Sequence, residues 1–144
     1  MKEGANTDSV PNGRGATEPI TISIVVPVYN SEETIAQLVA EVRNELADRY
    51  VFNMVLVNDG SSDGSYDICR RLAEEDSRVR FISFFKNFGQ LSAILAGLRE
   101  ADGSIVVVMD DDLQNPPKEI HKLIDAIRAG RDFAFGVPAT RPQQ

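Results

Sequence analysis

The chain has 144 residues, of which 42% are hydrophobic and 26% charged; that length and balance suit one globular core and exclude the low-apolar composition of a disordered chain. Twenty-two acidic against fifteen basic residues give a net charge of −7, which excludes a general binder of the nucleic-acid phosphate backbone. No apolar run approaches the roughly 18 residues that span a bilayer, and the polar start lacks the apolar stretch of a signal peptide, so the chain as it stands is expected to be soluble.

Residues 1–19 are rich in Gly, Asn, Thr, Ser and Pro without an apolar period and read as a disordered leader, with the folded part over 20–144. Residues 20–28 form a nearly continuous Ile/Val run containing Pro27, the pattern of a strand buried on both faces of a parallel sheet. Over 33–49, Ile35, Leu38, Val39, Val42 and Leu46 recur at helical spacing, with Asn30 or Ser31 as the expected N-cap. A strand over 52–57, a helix over 65–75 with Ile68, Cys69 and Leu72 inward, and a strand over 79–84 follow. The single cysteine, Cys69, sits on the apolar side of that helix, which predicts a buried, reduced thiol and suits the cytoplasm.

A helix over 91–101 places Leu91, Ile94, Leu95 and Leu98 on one stripe, expected to face the core, and a strand follows over 104–109. Pro116 and Pro117 suit the start of a helix whose buried face is Ile120, Leu123, Ile124 and Ile127, and a last strand is expected over 132–136. Five strands alternating with four helices predict an α/β fold: three layers, α/β/α, around an open, mainly parallel sheet with right-handed crossovers. Ligands in such sheets bind beyond the carboxyl ends of the strands, which singles out the loops at 27–31, 58–65, 85–90 and 110–115.

Asp110, Asp111 and Asp112 follow one of those strands directly, and like charges so close call for a cation or a positive dipole. Carboxylates and water suit Mg2+ or Mn2+, bridged to substrate phosphates, with Asp112 as the preferred direct ligand; the alternative is a solvated acidic loop capping the next helix. Asp59, in Asn58-Asp59-Gly60-Ser61-Ser62-Asp63-Gly64, suits a nucleobase imide or a ribose hydroxyl, while Ser62 and Asp63 read as caps of the following helix. Lys86 offers positive charge to a diphosphate or is simply solvated; Tyr29 offers a flat surface to a base or closes the sheet edge. His121 has no partner at zinc-ligand spacing. There is no GxGxxG after a strand, no GxxxxGK[ST] and no nucleophile elbow.

Taken together, Ile24-Val25-Val26-Pro27-Val28-Tyr29-Asn30, Val57-Asn58-Asp59-Gly60-Ser61-Ser62-Asp63-Gly64, Lys86-Asn87-Phe88-Gly89 and Asp110-Asp111-Asp112-Leu113-Gln114-Asn115-Pro116-Pro117 resemble the signature of family 2 glycosyltransferases over about residues 20–137. The form of the last segment is similar to enzymes that load a sugar onto dolichyl or undecaprenyl phosphate. The resemblance implies a GT-A fold and inverting transfer from a UDP- or GDP-type nucleotide-diphosphate sugar to a lipid-phosphate or glycan acceptor. It implies that Pro27, Tyr29 and Asp59 hold the base, that Asn30, Lys86, Asp110, Asp111 and Gln114 also bind the donor, and that Asp112 with Asp110 forms the catalytic pair that coordinates Mn2+ or Mg2+. It further implies that the acceptor half is missing beyond residue 144, that membrane association at the cytoplasmic face belongs to that missing region, and that a homo-oligomer is compatible with the family.

Asn58, Asn115 and Asp111 depart from the family's commonest residues at those places, two aspartates and a small residue. Two further readings stand beside this one: a nucleotidyltransferase, which would carry a Gly-rich basic loop where this chain has Val28-Tyr29-Asn30-Ser31, and a donor-binding module that needs the missing half for catalysis. A receiver-type signalling domain would carry an acidic pair at the end of strand one, and here strand one ends without an acid.

Overall fold

A first strand made of β-branched residues, buried on both faces, can only be the middle of a sheet. In a computed structural model describing residues 19–134, that strand is β1 (Thr21–Val28), and every one of its residues after Thr21 is buried. It is followed by α1 (Ile35–Leu46), β2 (Val51–Asn58), α2 (Ser65–Glu75), β3 (Val79–Ser83), α3 (Gln90–Glu100) and β4 (Ile105–Val108). A single 3-10 turn at Pro117–Glu119 then leads into α4 (Ile120–Arg128). The strands lie in the order β3-β2-β1-β4 and every pairing is parallel. The expected leader over residues 1–18 lies outside the described residues. Of the expected strand over 132–136, residues 132–134 have no regular structure and the remainder lies outside the described residues.

Period two in the strands splits the apolar residues between the two faces. Ile22, Ile24, Val26 and Val28 of β1 and Phe52, Met54 and Leu56 of β2 join one core with Leu38 and Val42 of α1, Cys69 and Leu72 of α2, and Ile120 and Ile124 of α4. Val25, Val55 and Val57 face the other way, against Ala93 of α3. Helices therefore cover both faces, giving the expected three layers. The Cys69 thiol is fully buried, and burial together with the nearby negative charges of Asp111 and Asp63 pushes it up to about 12, so it stays protonated and inert.

Pro27 sits in a central strand, where proline would ordinarily forfeit a ladder hydrogen bond. The Met109 amide donates to the Val25 carbonyl and the Asp59 amide to the Val28 carbonyl. Odd-numbered residues of β1 thus turn their backbone toward β4 and even-numbered ones toward β2. The β1–β4 pairing ends at Val25 and Val108, so the missing N–H of Pro27 lies where β4 has already run out.

Two expectations about helices are corrected. The stripe Leu91, Leu95 and Leu98 on α3 does not face the core: these leucines are 70%, 50% and 39% exposed, and the buried positions are Ala93 and Gly97. The period is helical as expected, but the inner face was chosen for size. A Cβ at Gly97 would lie 2.3 Å from Val25 Cγ1 and 3.3 Å from Val57 Cγ2, so only small residues let this helix lie so close to the sheet. In α1, neither Asn30 nor Ser31 caps the helix with its side chain. The Ser31 carbonyl accepts from the Thr34 and Ile35 amides, while both side chains bond across to other loops.

Asp76, between α2 and β3, joins Arg43 at 3.1 Å and Arg78 at 3.0 Å. Hydrogen bonds from the Arg78 guanidinium hold its carboxyl down to about 2, against burial, which opposes the shift. Because the folded-state pKa is depressed, the stabilisation is present above the ordinary value of 3.8 and disappears as pH falls toward 2. In urea unfolding, Asp76→Asn is expected to be less stable than wild type near neutral pH, with the gap closing as pH is lowered through that window. Leu38→Ala, fully buried, is expected to lose roughly 2–5 kcal/mol; Leu95→Ala is expected to change stability by less than about 0.5 kcal/mol, which checks the reversed face of α3.

Candidate functional site

With all strands parallel, the loops after Val28, Asn58, Ser83 and Val108 open at one edge of the sheet. The first loop is anchored to the second. The Asn30 amide donates to Ser61 Oγ at 3.0 Å, the Ser62 amide donates to Asn30 Oδ1 at 2.8 Å, and the Ser31 amide donates to Ser65 Oγ at 2.8 Å. Asn30 takes up a left-handed backbone, φ 50°, which asparagine tolerates better than most residues. Asp63 accepts from the Ser65 amide at 2.9 Å and from the Glu32 amide at 3.2 Å. Burial works to raise its carboxyl, and the hydrogen bonds, chiefly from Ser65, outweigh it and lower it. Asp63 thus serves the start of α2 as expected, and ties the first loop as well; Ser62, expected to share that role, instead turns its hydroxyl to Asn30 Oδ1.

The second loop is packed onto the third. Gly60 has φ 67°, and a Cβ there would fall 2.2 Å from the Lys86 carbonyl carbon and 2.3 Å from the Asn87 nitrogen; backbone approach of this kind requires glycine. Asp59 is 3% exposed. Its Oδ1 accepts from the Phe88 amide at 2.7 Å and its Oδ2 from the Gly89 amide at 3.1 Å, so this acid fixes the turn that opens α3. A carboxylate has about four acceptor sites, and two bonds leave others open. Lys86 is exposed, its ammonium 5.0 Å from the centre of the Phe88 ring and 5.7 Å from that of Phe85, a cation–π placement that holds positive charge beside the crevice.

The fourth loop carries the three aspartates. Asp110 is exposed and accepts from Gln90 Nε2 at 3.1 Å, which links it to the start of α3. Asp112 is exposed, and its Oδ1 accepts from the Gln114 amide at 3.1 Å. Leu113 between them is left-handed, φ 61°, and packs against the main core; burying that side chain offsets a backbone conformation that costs about 1–2 kcal/mol for a non-glycine residue. Asp111 turns to the first loop, where the Tyr29 amide donates to Oδ2 at 3.0 Å and the Ser31 hydroxyl donates to the same oxygen. Tyr29 is 51% exposed, Gln114 is exposed, and Pro27 is buried within β1.

The sequence-predicted residues are therefore brought to one edge, but not in equal roles. Asn30, Asp59 and Asp111 have their polar atoms engaged in holding loops, whereas Tyr29, Lys86, Asp110, Asp112 and Gln114 offer exposed groups. Gln90, Ser31 and Thr34 were not singled out as site residues and are structurally part of it. Their only signal in the sequence is polarity in, or at the far end of, the loops that follow β1 and β3.

Beside the second and third loops an open pocket of about 440 Å³ is lined by Asn58, Gly60, Ser61, Tyr66, Ser83, Phe84 and Phe85. Among the described residues, no three or more His, Cys, Asp or Glu side chains converge as a ready metal cage. Two exposed carboxylates are nevertheless the hard-oxygen set with which Mg2+ or Mn2+ is commonly shared between a protein and substrate phosphates. The donor set fits an ion completed by a diphosphate.

The sequence model of Glycosyl transferase family 2 matches residues 23–144. An undecaprenyl-phosphate 4-deoxy-4-formamido-L-arabinose transferase of Proteus mirabilis is 42% identical over 113 residues, covering 77% of this chain and 35% of its own length. One from Pseudomonas fluorescens is 44% identical over 124 residues, covering 83% and 36%. The chain thus spans about a third of the length of the curated relatives it matches. Among solved structures, the mannosyltransferase PcManGT from Pyrobaculum calidifontis in complex with GDP-Man and Mn2+ superposes with a TM-score of 0.59 at 27% identity, over 67% of this chain and 28% of that one. S. aureus TarS 1-349 in complex with UDP-GlcNAc gives 0.58 at 25% identity, over 76% and 31%.

Gly60→Ala is expected to lower stability by about 2 kcal/mol or more, from the left-handed backbone and the contact with the third loop together. Faster amide exchange at Lys86–Gly89 than in wild type, measured by NMR, would locate the damage in the loop contact.

Proposed function

The chain belongs to glycosyl transferase family 2 and has its GT-A fold, and on that premise we propose that it holds the donor side of an inverting, metal-dependent sugar transfer to a polyprenyl phosphate. The observation that carries this reading is the convergence of the Asp59–Gly60 loop, the Lys86 loop and the exposed Asp110 and Asp112 at one edge of the sheet, cross-tied by hydrogen bonds. The neighbours solved with GDP-Man and Mn2+ and with UDP-GlcNAc support a nucleotide-diphosphate sugar as donor. The undecaprenyl-phosphate relatives support the acceptor.

In this reading the base lies between Tyr29 and the pocket beside Asn58, Gly60 and Ser61, with Pro27 and Asn30 shaping the first loop and Asp59 offering its remaining acceptor sites to an imide or a ribose hydroxyl. Lys86 and Gln114 flank the diphosphate. Asp112, with Asp110, would hold Mn2+ or Mg2+, which supplies positive charge against the leaving nucleoside diphosphate. A polyprenyl phosphate oxygen is already ionised near neutral pH, so attack at the anomeric carbon needs no general base from this chain, and direct displacement inverts that carbon.

The chain's match to about a third of its relatives favours assigning it the donor-binding part, with acceptor binding and contact with the cytoplasmic face of a membrane assigned to sequence beyond it. Among the described residues no helix is long and apolar enough to cross a membrane.

Titrating UDP and GDP with and without Mn2+ while following thermal unfolding tests the proposal, since a ligand at 100 times its Kd adds about 2.7 kcal/mol. Stabilisation by one nucleotide that requires Mn2+ and disappears in Asp112→Ala is the expected result. A folded wild type indifferent to both nucleotides would sink the donor-site reading for this chain.

A further inference from the structure

Three consecutive aspartates would naturally be treated as one acidic cluster, yet the structure divides them. Asp110 and Asp112 are exposed, while Asp111 is half-buried and bound into a different loop. Its Oδ2 accepts from the Tyr29 amide and from the Ser31 hydroxyl, and its own carbonyl accepts from Thr34 Oγ1 at 2.6 Å. The Ser31 hydroxyl also lies 3.0 Å from the Tyr29 carbonyl; having one proton, it gives it to the closer, charged acceptor. Both the side chain and the backbone of Asp111 are thus fastened to the segment that links β1 to α1. Two residues on, the left-handed Leu113 packs its partly buried side chain against the core, and Pro117 is buried. The loop is therefore pinned on either side of Asp112.

We propose that Asp111 is a positioning residue, not a ligand: by tying the acidic loop to Tyr29 and Ser31 it sets where Asp110 and Asp112 meet a divalent cation and the donor diphosphate. This rests on the donor-site reading above. One side-chain oxygen here accepts from an amide and a hydroxyl at once, which its two lone pairs allow. The bond also fixes Tyr29, so the two sides of the crevice are set by a single group.

The test compares wild type, Asp111→Ala, Asp111→Asn, Ser31→Ala and the double variant D111A/S31A in the full chain, with two readouts. The first is the Kd for Mn2+ by electron paramagnetic resonance, with UDP or GDP present. Asp111→Ala is expected to weaken Mn2+ about tenfold, the usual scale for losing a group that orients a ligand. Asp111→Asn, which keeps an acceptor oxygen, should stay near wild type, Ser31→Ala should fall in the same direction as Asp111→Ala, and the double variant should fall no further than Asp111→Ala. The second readout is exchange of the Tyr29 amide without ligand, expected to accelerate in Asp111→Ala and to be restored in Asp111→Asn. Loss in Asp111→Asn equal to that in Asp111→Ala, with Ser31→Ala unchanged, would make Asp111 a direct ligand and overturn the proposal, as would unchanged Mn2+ affinity in Asp111→Ala. A wild type that binds no Mn2+ with either nucleotide overturns the donor-site reading instead, and the Tyr29 amide then decides alone whether Asp111 holds the loops together.

Discussion

Four strands that run the same way must deliver their carboxyl ends to one edge, and everything at the candidate site follows from that. A parallel arrangement needs a covered crossover between successive strands, so the chain leaves the sheet four times at that edge and returns three times at the other. The loops on the exit side are short, and each carries polar or charged residues. In isolation each would leave backbone amides unpaired at a partly buried sheet end. They solve the problem jointly, each supplying acceptors for the next: Asn30 for Ser62, Asp59 for Phe88 and Gly89, Asp111 for Tyr29.

That sharing explains why acids abound here without the edge becoming electrostatically untenable. Of Asp59, Asp63, Asp110, Asp111 and Asp112, three have their oxygens engaged by backbone amides of other loops or of the following helix. Amide dipoles offset those charges locally. Asp110 and Asp112, solvated and lightly bonded, keep the acceptor capacity that a cation can use. Lys86, held over two phenylalanine rings, puts the opposite sign on the third loop.

The sheet was legible in the sequence because its central strand is buried on both faces, and continuous Ile/Val runs carry that information directly. α1, α2 and α4 were legible for a related reason: each turns large apolar side chains to the core, so periodicity and burial coincide. α3 broke the link. Its close packing selects Ala93 and Gly97, and the leucines that dominate the pattern are on the outside; a reading weighted by hydrophobicity finds the right period and the wrong face. At the candidate site, residue types at strand ends pointed to loops that the fold gathers at one edge of the sheet. They could not distinguish an acid bound by backbone amides of another loop, as Asp59 and Asp111 are, from one left solvated, as Asp110 and Asp112 are, because only the tertiary fold sets those partners beside them. The N-cap expectation for Asn30 and Ser31 failed for the same reason: their side chains had longer-range partners than the helix they precede.

The seam between α3 and the sheet has a consequence for how such a site can drift. The helix rests on the sheet through Gly97, with no atom to spare between its backbone and Val25, and its first residue, Gln90, touches Asp110. A rod seated on a point of contact and carrying a working part at its tip is a lever. Any methyl group gained along that seam must lift the rod, since the valines beneath it are themselves packed in the centre of the fold. Variation in inconspicuous small residues, one to two helical turns from the crevice, is thus a route by which a lineage can retune the spacing of its acidic loop while leaving every residue of that loop unchanged.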